Sequence, residues 1–293
     1  MYIDTHTHIR DHNYTVEEQE AIIKSLKDSG VSFIIDIGTA IETSLESIEL
    51  AKAHKTVYAT VGIHPYEIVE GRRETYDIDE NIAKLDDIIK KEKKHIVAMG
   101  EIGLDYHYQD YSRTTQIELF IKQLELAKKH ALPLVIHLRS VEDNRKESNI
   151  AVNPNENNED NAFADFLEIV RTRRELFDTK ILMHCYAGSL EYTKEVVKEL
   201  NPYFSFGGII TFKKARDSKA EIIKEIGLNR IMAETDCPYL TPEPMRGKFK
   251  NEPKYVSYVY KRIAEIFELD EEVVKTKILE NINDMLKLDG KHE

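Results

Sequence analysis

His6 and His8 stand two residues apart in an apolar, β-branched run that reads as a strand, so both imidazoles project from one face and can bind one divalent ion together. In a chain with 11 histidines such a pair arises easily by chance. Position strengthens it. Glu101, His137, His184 and Asp236 are also of metal-ligand type, and each falls at or just after the end of a short apolar run. The six divide into two groups: His6, His8 and Asp236 around one ion, His137 and His184 around a second, with the Glu101 carboxylate bridging. Two divalent ions about 3.5–4 Å apart activate a water between them and neutralise the charge that builds on a phosphoryl or carbonyl oxygen during attack. Asp236 is then the group that accepts the proton of the water, and Glu101 and Asp236 are the expected catalytic carboxylates. Mixed imidazole and carboxylate ligands do not choose among Mg, Mn and Zn.

Residues from both ends of the chain meet only if the elements between them bring the strand ends to one face. Short apolar runs recur at 3–9, 31–37, 57–61, 96–99, 134–137, 180–184, 203–206 and 230–233. Segments of helical periodicity follow at 15–29, 42–53, 79–91, 112–130, 163–176, 190–200, 214–226 and 254–267. Thr15 and Glu18 form a capping-box signature at the start of the first helix, and Gly30 follows its end. Eight strand-then-helix units predict parallel pairing in a (β/α)8 TIM barrel, with an extra C-terminal helix over 271–288 lying outside it. No G-x-G-x-x-G follows the first strand, which removes the main reason to prefer a dinucleotide-binding sheet. No interdomain linker interrupts residues 1–293. The polar, Asn- and Glu-rich stretch 141–161 falls after the fifth strand, where a barrel places a loop beside its active site, and reads as a tolerated insertion or a lid.

The composition bounds what such a site can meet. With 41 basic and 53 acidic residues among 293 the net charge is -12, which argues against a broad basic face for nucleic acid. It does not oppose a local positive pocket, and two divalent cations against two carboxylates make one. No apolar run approaches a membrane span, so no membrane is expected, and the start of the chain lacks the pattern of a secretory leader. Two cysteines, Cys185 and Cys237, provide no disulfide framework and fit a reducing cytoplasm. Each follows a ligand by one residue, so in a strand each faces away from the metals and packs.

The chain resembles the TatD family of metal-dependent deoxyribonucleases, within the amidohydrolase-like barrels. The resemblance is carried by Ile3-Asp4-Thr5-His6-Thr7-His8, Gly62-Ile63-His64-Pro65, Gly100-Glu101-Ile102-Gly103-Leu104-Asp105-Tyr106, His184-Cys185-Tyr186-Ala187-Gly188-Ser189 and Glu234-Thr235-Asp236-Cys237-Pro238-Tyr239-Leu240, followed by Arg246-Gly247-Lys248 and Asn251-Glu252-Pro253. It implies metal ligands at the same six positions. It also implies metal-dependent hydrolysis of DNA phosphodiesters, often from the 3′ end. The chain departs from the family pattern in a longer connection after the fifth strand, in Tyr186-Ala187 where Phe-Ser is usual and in Tyr66 where a His is frequent; none of these touches a ligand.

Around that centre, His64 is placed to contact a substrate phosphate or to bond a neighbouring loop. Arg246 and Lys248 follow the eighth strand, where barrels often bind phosphate, or form a solvated charge cluster. Tyr239 and Tyr106 are candidates to stack on a base, or to pack a loop, and Asp105 can orient a ligand histidine or cap a turn. His12, His54, His95, His107, His130 and His292 read as surface or structural. The expected partner is DNA, as single strands or frayed 3′ ends, met by a monomer or weak oligomer. Rival readings are a metal-dependent amidohydrolase or esterase acting on a small carbonyl or aminoacyl ester, and a metal-stabilised binding protein without turnover.

Overall fold

All ten residues of Ile96–Asp105 are buried, as a parallel strand covered on both faces by helices must be. The computed structural model of the chain describes residues 1–68, 76–107, 112–140 and 161–288. This strand is the fourth, β4, of eight: β1 (Tyr2–Thr7), β2 (Val31–Asp36), β3 (Val57–Val61), β5 (Leu134–Arg139), β6 (Ile181–Met183), β7 (Tyr203–Phe206) and β8 (Ile231–Ala233). They pair in parallel in sequence order. A parallel bridge between Thr7 and Cys237 brings the last strand back to the first. The Asp236 N–H donates to the His6 carbonyl (3.0 Å) and the His8 N–H to the Cys237 carbonyl (2.9 Å), so the residues that close the barrel include candidate ligands.

Helices α1 (Val16–Ser25), α2 (Ile41–Ala53), α3 (Ile78–Glu92), α4 (Arg113–His130), α5 (Ala162–Thr172), α6 (Leu190–Leu200), α7 (Arg216–Ile226) and α8 (Val256–Phe267) fill the connections, and α9 (Glu271–Leu286) follows. The fold is the expected (β/α)8 barrel. The capping box forms: the Thr15 hydroxyl accepts the Glu18 N–H at 3.2 Å while the Glu18 carboxylate accepts the Thr15 N–H at 2.8 Å. The helix it opens ends at Ser25, before the 15–29 periodicity does, because the chain must turn through Gly30 (φ 83) into β2. Helix α9 lies outside the wall of strands, as expected, yet its end also seals the barrel. Met285 and Leu286 face the same apolar interior as Thr5, Ile35, Val97, Leu182 and Met232. Among the described residues no helix is long and apolar enough to cross a membrane.

The pattern over 96–99 stops at Gly100, but β4 runs on to Asp105, so Glu101 sits within a strand rather than at its end. Glycine weakens a strand pattern because it has no side chain to pack. Here its absence of Cβ is what the packing uses. A Cβ on Gly100 would lie 2.5 Å from that of Val135, and one on Gly103 (φ 147) would lie 1.9 Å from the His137 carbonyl oxygen. Replacing Gly103 by alanine therefore forces β4 and β5 apart at the site. We expect Gly103→Ala to lose about 3 kcal/mol or more, lowering Tm by roughly 5–10 °C in thermal denaturation; a variant melting with the parent would show that the strands relax freely. The insertion expected at 141–161 lies outside the described residues except for Asn161, which caps α5 by accepting the Phe163 N–H at 2.9 Å.

Candidate metal centre

Glu101 is the hub of a buried cluster, and its two oxygens face different partners. Oε2 lies 3.3 Å from His6 Nε2 and 3.7 Å from His8 Nε2; Oε1 lies 2.8 Å from His137 Nδ1 and 2.7 Å from His184 Nε2. Asp236 joins the first pair, its Oδ1 being 3.4 Å from His8 Nε2 and 3.8 Å from His6 Nε2. Its backbone is left-handed (φ 56). For a residue with a Cβ this conformation costs on the order of 1–2 kcal/mol. The turn sets its carboxylate beside His8 just past β8. All six side chains named from the sequence thus converge, in the expected grouping of three and two about Glu101. His6 and His184 stack with ring centroids 3.9 Å apart, which draws the two groups into one compact centre.

The electrostatics follow from packing carboxylates and imidazoles away from water. Burial opposes charge on His8 and on His137, yet Asp236 and Glu101 push the first up to about 9, and Asp105 and Glu101 push the second up to about 9. Burial likewise opposes charge on His184, and Glu101 overrides it to raise the group well above its ordinary value. Burial would raise Glu101, but the neighbouring imidazolium charges, His184 foremost, hold its carboxyl well below the usual range. The cluster without metal is therefore a set of carboxylates with protons bound between them. Divalent cations fit those positions: the donors are imidazole nitrogens and carboxylate oxygens, and buried His6 Nδ1 and His184 Nδ1 have no hydrogen-bond partner among the described residues.

Surrounding residues divide on inspection. Asp105, at the end of β4, holds His137 Nε2 at 3.0 Å and so leaves Nδ1 to face Glu101, as a carboxylate behind a ligating histidine does. His64 reaches the cluster, with Nε2 3.5 Å from Glu101 Oε1. Its Nδ1 accepts the Tyr66 backbone N–H at 3.0 Å, so the ring proton resides on Nε2 and points inward. Burial lowers His64 to about 4, which makes it a neutral donor. Tyr239 stands at the mouth with its ring 6.3 Å from that of His8 and its hydroxyl on Asp11 at 2.5 Å. Arg246 and Lys248 are exposed; the Arg246 guanidinium lies 3.8 Å over the Phe212 ring and does not join the cluster.

One open alternative is decided and one expectation is corrected. Tyr106 is fully buried with its hydroxyl on Asp165 at 2.7 Å, so it packs the wall and offers no face to a base. Cys185 is not in a strand, since β6 stops at Met183; its backbone is left-handed (φ 42), and it lines a small cavity with Tyr186, Gly207 and Lys219. Burial raises its thiol well above the ordinary value, so no thiolate forms there. Cys237 is buried in the core as expected.

Sequence reasoning assigned no role to Asp4 or Glu234. Both are fully buried. Asp4 accepts the Thr235 N–H at 2.9 Å and the Thr235 hydroxyl at 2.5 Å, tying β1 to the segment that carries Asp236. The available signal was an acidic residue two positions before a ligand, at the edge of an apolar strand in each case.

The chain is similar to known proteins along nearly its whole length. A family model described as TatD related DNase matches residues 3–287. The chain is 34% identical over 290 residues to YabD of Bacillus subtilis, described as an uncharacterized metal-dependent hydrolase, covering 98% of this chain and all of that one. It is 31% identical over 285 residues to another protein so described from Methanocaldococcus jannaschii, covering 96% and 94% of the two. The crystal structure of YjjV, a TatD homolog from Escherichia coli, superposes with a TM-score of 0.79 at 26% identity over 98% of each chain.

Proposed function

From the premise that the chain belongs to the TatD related DNase family, we propose that it is a divalent-metal-dependent hydrolase of DNA phosphodiester bonds, acting from the 3′ end on single strands or frayed termini. The observation that carries this reading is the division of Glu101, one oxygen toward His6 and His8 and the other toward His137 and His184. In it, His6, His8 and Asp236 hold one ion, His137 and His184 the other, and Glu101 both. Bound there, two divalent ions supply Lewis acidity and lower the pKa of water, so that a nucleophile exists at neutral pH. The residues do the rest. Asp236, ionised because the neighbouring His8 outweighs its burial, accepts the proton of the attacking water. The His64 Nε2–H donates to a non-bridging phosphate oxygen, and Asp105 keeps His137 in the orientation that leaves Nδ1 free.

The test is incubation of the purified protein with Mg, Mn or Zn and 5′- or 3′-labelled single-stranded DNA, RNA and aminoacyl or simple carboxylic esters, with EDTA as control. Metal-dependent shortening of DNA from the 3′ end is expected. Turnover of carbonyl esters alone would move the chain to the amidohydrolase reading, and absence of any turnover with bound metal to the binding-protein reading. The charge of -12 supports few phosphate contacts and hence a shallow dependence of KM on salt. Exposed Arg246 and Lys248 are the cations proposed to meet the flanking strand. The double change Arg246→Ala, Lys248→Ala is expected to raise KM for DNA about 5- to 10-fold and flatten the salt slope by about one to two units, with kcat unchanged. An unaltered KM and slope would return both residues to the solvated surface.

A further inference from the structure

The geometry points to Glu234 as the positioning residue of His184, the carboxylate that fixes this imidazole in the one tautomer able to take a cation. The inference rests on the reading that His184 holds a metal ion. Strand β6 ends at Met183; the His184 N–H still donates to the Ile136 carbonyl of β5 at 3.0 Å, and the chain turns at Cys185. The Cys185 N–H, freed from the ladder by its left-handed backbone, donates to Glu234 Oε1 at 2.7 Å. Ser205, in β7, donates its hydroxyl to the other oxygen. The carboxylate is fully buried and held by two donors from two neighbouring strand regions, yet an ionised carboxylate accepts about four hydrogen bonds. Its spare capacity on Oε1 lies 3.7 Å from His184 Nδ1, itself a buried nitrogen with no hydrogen-bond partner among the described residues.

His137 shows the completed form of the same arrangement. That ring is held between Glu101 at 2.8 Å and Asp105 at 3.0 Å. The His184 ring is held between Glu101 at 2.7 Å and Glu234 at 3.7 Å, with the roles of its two nitrogens exchanged. A shift of about half an ångström in the His184 ring brings Nδ1–H within hydrogen-bond reach of Glu234. A proton kept on Nδ1 leaves the Nε2 lone pair facing the cation position. With an aliphatic group at 234, Nδ1–H has no acceptor, and the ring is no longer held with Nε2 toward the cation position when a cation displaces the proton between it and Glu101.

The experiment is Zn2+ uptake by the EDTA-treated full-length protein in competition with a chelating dye, for wild type, Glu234→Ala, Glu234→Gln, His184→Ala and the double variant. Glu234→Ala is expected to weaken one of two Zn2+ equivalents about 10- to 100-fold. Glu234→Gln, whose amide oxygen still accepts Nδ1–H, recovers part of the loss. In the His184→Ala background Glu234→Ala changes affinity less than about twofold, a coupling that a general loss of stability does not produce. Equal affinity of wild type and Glu234→Ala, or the same loss with and without His184, would overturn the inference while leaving the metal reading intact. A wild type that binds no Zn2+ overturns both. Should Glu234→Ala not fold, the Nδ1–H resonance of His184 in Zn-loaded wild type and Glu234→Gln decides: it moves upfield in the variant if Glu234 is its acceptor, and an unmoved resonance sinks the proposal.

Discussion

Glu101→Ala is expected to abolish hydrolysis and to empty both proposed metal positions at once. The residue is only 3% exposed and its carboxylate stands within 3.7 Å of nitrogens on five histidines from four separate stretches of the chain. Ligands that serve one position alone leave the other partly built when removed. In the proposed centre Glu101 serves both, so its loss takes a ligand from each and leaves five imidazoles facing one another. The expected drop in kcat/KM is at least about 10³-fold, with Zn or Mn content falling below one equivalent per chain. The isosteric Glu101→Gln keeps the volume and removes the charge, and is expected to be equally inactive, which assigns the effect to electrostatics. The barrel survives both changes, because the core of apolar strands and helices does not pass through this side chain. Metal analysis and steady-state kinetics on each variant provide the check; full metal content with parental turnover in either would end the shared-carboxylate reading.

The second large effect is a steep rise in metal affinity with pH. His8 and His137 are pushed up to about 9 in the metal-free fold, from about 6.5 in an unfolded chain. A raised pKa means that the folded chain holds these protons more tightly than the unfolded one. Their contribution to the stability of the metal-free fold is full below about pH 6.5 and is lost as pH rises through about 9. Cations need the same nitrogens unprotonated, so filling the two positions displaces the His8 proton at one and the His137 proton at the other at neutral pH. For each of these protons released, affinity at its position should climb up to about tenfold per pH unit between pH 7 and 9, and level off above. Calorimetry in buffers of different ionisation enthalpy should count up to about two protons released at pH 7. The melting temperature of the EDTA-treated protein should fall over the same window while that of the metal-loaded protein holds. Affinity independent of pH from 7 to 9 would refute the picture of protons standing where cations bind.

The six converging side chains were legible in sequence because a histidine or carboxylate at the edge of an apolar β-branched run is out of place in a packed wall, and repetition at the edges of five such runs leaves few explanations. The strand 57–61 and helix 190–200 were equally plain, each bounded by residues that end an element, and β3 (Val57–Val61) and α6 (Leu190–Leu200) have those limits. The reading ran short where identity and environment part company. Gly100 and Gly103 look like strand breakers until Val135 and the His137 carbonyl are seen to occupy the space a side chain would need. Tyr106 reads equally as a stacking platform or a packing group until Asp165 and the wall enclose it.

Local sequence determined the order and type of the elements and the chemistry of the donors, since hydrophobic period, capping and side-chain type act within a few residues. Tertiary structure alone decided which oxygen of Glu101 faces which pair of histidines, and that the carboxylates of Asp105 and Glu234 each stand nearest a different imidazole. Those are matters of tenths of an ångström between strands more than 30 residues apart in the chain, and only the closing of the barrel sets them.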